Sequence, residues 1–271
     1  MDKKTKEEYI KWYKTAQKHV NDESVIPNLT DGEIIANTSK MDWLMFVKAT
    51  HEDRKDAVNY PEPNIYLAIR GKTLQMGLTF NNAPSVDKLK NILDKKSEIE
   101  REKIVEKLLA LDDSYYTLVN RKIREFWGPA PIYEEELEIQ TSKLNDAKFQ
   151  KIIKECMKIR EEGIEHKKTA KHDSYWEGPT VDLVYVEVPK KEKSFFKAID
   201  DIIPIFKLCV DIKSNTELED LDLIEKIKKI DSWDWYIEED RGGLAELLKE
   251  KFDIEISTQK LKKLMKRLKK K

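Results

Sequence analysis

The chain has 271 residues, 39% hydrophobic and 38% charged, with a formal net charge of -1. That length fits one large domain, or one domain with a small appendage. No run approaches the ~20 apolar residues of a membrane helix, and the N-terminal stretch MDKKTKEEYIKWYKTAQKHV lacks the apolar core of a signal peptide, so a soluble, cytoplasmic protein is expected. The charged share exceeds the roughly 25% of ordinary soluble domains, a Lys/Glu-heavy pattern known from hyperthermophile proteins. The two cysteines, Cys156 and Cys209, are far apart and set in apolar helical patterns. They read as buried, reduced thiols.

Residues 6–20 place Tyr9, Ile10, Trp12, Tyr13, Ala16 and Val20 at helical spacing and predict an amphipathic helix. Pro27 ends that region. EIIANTS follows, and DWLMFVKA then reads as a buried strand. NIYLAIRGKTLQMGLTF predicts a hairpin with strands at 64–70 and 73–80, because Gly71 supplies the positive φ of a tight turn. NNAPSVDKLKNIL starts a helix, with Ser85 as its cap. The stripes Ile104, Leu108, Leu111 and then Tyr115, Tyr116, Val119, Ile123 predict helix from Glu98 to Phe126, broken near Asp112–Asp113. WGPAP at 127–131 is a breaker. YEEELEIQTS suits an edge strand whose acids discourage edge-to-edge pairing.

Asn145 or Asp146 caps a helix that Gly163 ends. IEHKKTAKHDSYWEGP reads as a polar loop, and TVDLVYVEV as a strand at about 180–188. KSFFKAIDDIIPIFKLCVDI is helical, with Pro204 kinking or splitting it. Glu217 to Ile230 is an amphipathic helix. Strands and helices in irregular order, with a hairpin, predict an α+β body over 1–212 built on a mixed sheet and several packed helices. A linker near 213–215 leads to an all-helical unit over 217–271.

The closing stretch, GLAELLKEKFDIEISTQKLKKLMKRLKKK, predicts two helices. The first carries Leu244, Ala245, Leu247, Leu248 and Phe252. The second is capped by Ser257 or Thr258, with Leu261, Leu264, Met265 and Leu268 on one face. Its other face holds Lys260, Lys262, Lys263, Lys266, Arg267 and Lys269. From Lys260 to Lys271 there are eight bases and no acids.

LAELLKEKFDIEISTQKLKKLMKRL resembles the helix-turn-helix half of winged-helix DNA-binding domains, over about 25–30 residues, or 55 if the 217–230 helix is the first of three. Where that family carries a glycine in the turn, this chain has Asp253–Ile254–Glu255–Ile256, and no wing strands follow. The resemblance implies that the second helix is a recognition helix. Independently of it, bases along one helix face with leucines along the other suit contact with phosphates. Gln259 and Lys260 are the candidates for base edges, and Lys263, Lys266 and Arg267 for the backbone. A solvated helix whose bases complement the negative end of the helix dipole is the alternative reading. Arg121, Lys122 and Arg124, beside Phe126 and Trp127, form a second basic cluster that could grip nucleic acid or snorkel around a tryptophan.

Candidate chemistry is sparser. Asp182, Glu187 and Lys190, on or beside one strand, resemble the core of restriction-type endonucleases, where two carboxylates hold Mg²⁺ beside a lysine. Here the Glu187–Val–Pro–Lys190 run is one residue longer than that family's acid-x-Lys, and strand parity sets Asp182 and Glu187 on opposite faces. EHKKTAKHD, with Glu165, His166, His172 and Asp173, matches no zinc template, and no metal site is expected from it. Asp31, Glu33 and Asp42 near the early strands could form an acidic site. The expectation is a protein that binds nucleic acid, duplex DNA foremost, without a cofactor. The alternatives are a nuclease requiring Mg²⁺, and a structural or assembly protein whose aromatic-bearing helices make its interfaces, with self-association open.

Overall fold

The structure, a computed structural model, describes residues 2–23, 25–38, 43–46, 63–81, 83–94, 97–125, 132–169, 174–212 and 222–268. The chain divides into two compact units, Met1–Ile212 and Lys213–Lys271.

The first unit is α+β. Helix α1, Lys3–Val20, starts where the Asp2 carboxylate accepts from the Thr5 amide and ends at Asn21 in the left-handed region; it buries Tyr9, Trp12, Tyr13 and Ala16. Helix α2, Asp31–Thr38, opens with a reciprocal cap. The Thr30 amide donates to Glu33 Oε2 at 2.8 Å, and the Glu33 amide to Thr30 Oγ1 at 3.4 Å. Strands β1 (Trp43–Phe46), β2 (Asn64–Arg70) and β3 (Thr73–Phe80) follow. The β2–β3 hairpin has the predicted bounds, and Gly71 sits at φ +54°.

Helix α3, Ala83–Lys90, begins two residues before the predicted Ser85 cap, which lies buried in its first turn. Helix α4, Glu98–Leu109, ends before Asp112. The predicted helix beyond it is instead strand β4, Tyr115–Glu125. YYTLVNRKI is rich in β-branched and aromatic residues, and the buried positions Tyr115, Thr117 and Val119 recur every second residue. Pairing on both sides of β4 therefore overrides a stripe that also fits a helical period. Strand β5, Ile132–Gln140, is an edge strand. Helix α5, Asp146–Thr169, runs on past Gly163.

Strand β6, Ser174–Pro189, starts inside the predicted polar loop. Helix α6, Glu192–Val210, is uninterrupted through Pro204. The proline ring costs one backbone bond, yet Ile202, Ile205, Phe206 and Cys209 are buried on either side and hold the helix to the core.

The six strands lie in the order β1-β2-β3-β6-β4-β5. Every pairing between described strands is antiparallel, so the expected mixed sheet is corrected to an antiparallel one. The core joins one face of this sheet (Leu44, Phe46, Ile65, Leu67, Leu74, Met76, Val119) to α1, α3, α4, α5 and α6. Both cysteines are buried and outside any disulfide, and burial pushes the Cys156 thiol up to about 12. The opposite face carries Tyr66, Gln75, Asp182, Tyr185 and Glu187.

The second unit is helical among its described residues. After a helical turn over 222–227 come α7 (Trp233–Glu239), α8 (Arg241–Phe252) and α9 (Thr258–Leu268). The 217–221 part of the predicted 217–230 helix lies outside the described residues. This unit has its own core of Leu223, Ile227, Ile230, Leu244, Leu248, Leu261 and Leu264. Among the described residues, no helix is long and apolar enough to cross a membrane.

Candidate functional site

The C-terminal unit is built around a turn that lacks glycine. Asp253 adopts φ 55° and ψ 39°, the left-handed conformation that the short polar side chains of Asp and Asn tolerate best after glycine. Its amide donates to the Lys249 carbonyl and the Ile254 amide to the Leu248 carbonyl, closing the last turn of α8. Ile254 and Ile256 then fold back onto the small core. Ser257 is the cap of α9: its hydroxyl accepts from the Lys260 amide at 3.2 Å.

Helix α9 is anchored by Leu261 and Leu264, which are fully buried against the α8 leucines. Ser257, Gln259, Lys260 and Lys262 are exposed. Lys263, Lys266 and Arg267 lie on the same helix, but their side chains are outside the described set, and Lys269 lies beyond the described residues altogether. The structure thus brings Gln259 and Lys260 together at the start of a helix that is pinned along one side.

Of the second basic cluster, Arg121 is the member whose side chain is described. The Arg121 guanidinium is held between two carboxylates, donating to Glu136 on β5 and, at 3.0 Å, to Glu162 on α5. Its side chain is only 14% exposed, so it ties the sheet to a helix and is not presented to a phosphate. Lys122 and Arg124 pair through their backbones with Tyr133 and Tyr175; their side chains are outside the described set.

Asp182, Glu187 and Lys190 also take unforeseen positions. On β3, Leu78 pairs with Val184 while Thr79 pairs with Asp182; on β4, Tyr116 pairs with Tyr185 while Leu118 pairs with Asp182. Strand β6 therefore carries an extra residue at Leu183–Val184, a β-bulge that resets the alternation. Asp182 and Glu187 consequently share one face, correcting the parity argument. They are still not neighbours. Their β3 partners, Thr79 and Gln75, are four residues apart, or about 13 Å along a strand, too far to bridge one ion. Lys190 turns away and pairs with Glu8 of α1 at 2.7 Å.

Asp182 sits instead in a polar chain. Arg70 Nε donates to Gln75 Oε1 at 3.2 Å, Gln75 Nε2 to Tyr66 Oη at 3.2 Å, and Tyr66 Oη to Asp182 Oδ2 at 2.9 Å. Burial pushes the Asp182 carboxyl up to about 6, against hydrogen bonds from Thr79 and Tyr66 that favour its charge. Burial and the Asp182 charge together raise the Tyr66 phenol well above its ordinary range.

A row of residues runs across the sheet here: Tyr66 on β2, Gly77 on β3, Tyr185 on β6, Tyr116 on β4 and Gln140 on β5. Gly77 makes the row possible, since a Cβ there would stand 2.6 Å from the Tyr66 ring and 2.8 Å from the Val184 carbonyl oxygen. Tyr116 and Tyr185 stack at 5.7 Å, and the Tyr185 hydroxyl donates to Glu138. Burial and Glu138 raise the Tyr185 phenol above its usual value. Sequence reading missed this row. The bulge that aligns it leaves no mark in VDLVYVEV, and β4 was expected to be helix.

The remaining groupings are described only in part. Asp31 pairs with Lys14 at 2.5 Å and Glu33 belongs to the α2 cap; Asp42 lies outside the described residues. Glu165 is exposed on α5, whereas His172 and Asp173 are outside the described residues and the His166 side chain is outside the described set. Among the described residues, no group of three or more His, Cys, Asp or Glu side chains could hold a metal ion. No protein-family model, curated protein or solved structure matches this chain.

Proposed function

We propose that the protein binds nucleic acid, duplex DNA foremost, through its C-terminal helical unit, in the manner of a helix-turn-helix. The observation that carries this reading is the build of α9. Leu261 and Leu264 pin it to a small core while Gln259, Lys260 and Lys262 remain exposed at the head of a segment with eight bases and no acids. A helix pinned along one side can be laid against a phosphate backbone without unfolding. Lysines give affinity there with little sequence information, so binding is expected to be broad, with Gln259 and Lys260 as the residues placed to read base edges. The left-handed Asp253 supports the reading, because it supplies the sharp turn that a glycine would otherwise make.

The test uses the full chain and a short fluorescent duplex of generic sequence. Anisotropy should report binding at low salt, and the K260Q/K263Q/K266Q variant should bind more weakly while folding as the parent does. A parent that binds neither duplex nor single strand at low salt would remove the proposal.

A further inference from the structure

We draw no further inference here: the strongest candidate, the cleft between the end of α1 and the middle of α6 lined by His19, Asp22, Asp200 and Lys207, carries nothing, because its charged side chains are already paired with one another, His19 with Asp200 at 2.8 Å and Lys207 with Asp22 at 3.0 Å, and nothing in the structure shows what it would hold.

Discussion

Asp182 shows how one residue's environment changes its chemistry. Its carboxyl is buried beneath Tyr66 and Thr79 and lifted to about 6, above the ordinary value of about 3.9. The folded state therefore holds this proton more tightly than the unfolded chain does. Its favourable contribution is complete below about pH 4 and is lost as pH rises through about 6. Asp182→Asn removes the titration while keeping an acceptor for the Tyr66 hydroxyl. Urea unfolding at a series of pH values should show the variant gaining on the parent between about pH 4 and 7, by roughly 1–3 kcal/mol, with a constant difference above that range. A difference independent of pH would show that Asp182 does not titrate in this window.

At the level of elements, local chemistry that needs no long-range partner was legible in the sequence. The β2–β3 hairpin is announced by Gly71 between two apolar runs, and its bounds agree with the structure. The leucine anchor of α9 is likewise visible in its spacing. Elements decided by pairing were not legible. Tyr115, Tyr116, Val119 and Ile123 fit a helical stripe, and only neighbours on both sides make that segment β4. The bulge in β6 is fixed jointly by β3 and β4, so parity counted along β6 alone put Glu187 on the wrong side. The exposed place of Gln259 and Lys260 at the start of α9 was readable, whereas the pairing of Arg121 with Glu136 and Glu162 was not.

Three variants test the turn and anchor between α8 and α9. Asp253→Gly removes the strain of a side chain at φ 55° and should stabilise the C-terminal unit by roughly 0.5–1 kcal/mol, whereas Asp253→Ala should not. Leu264→Asp puts a carboxylate into the small core and should cost more than about 3 kcal/mol. Thermal melts followed by circular dichroism should then show lost helical signal while the sheet of the first unit persists. Retention of the full helical signal would mean that Leu264 is not the anchor.

For the whole molecule, the near-zero net charge conceals an uneven distribution. Strand β5 concentrates acids in Glu134, Glu135, Glu136 and Glu138, and the C-terminal unit ends in a run of bases. The two units have separate cores with no residue in common. Binding of a phosphate backbone by the basic helix, as proposed, is measurable through counterion release. Each phosphate contact contributes about 0.9 to the slope of log affinity against log salt for duplex DNA. The most direct measurement is that slope for the full chain and for K260Q/K263Q/K266Q. The variant should bind more weakly, with a slope flatter by about two to three and stability changed by less than ~0.5 kcal/mol. A variant whose affinity and slope equal the parent's would contradict it.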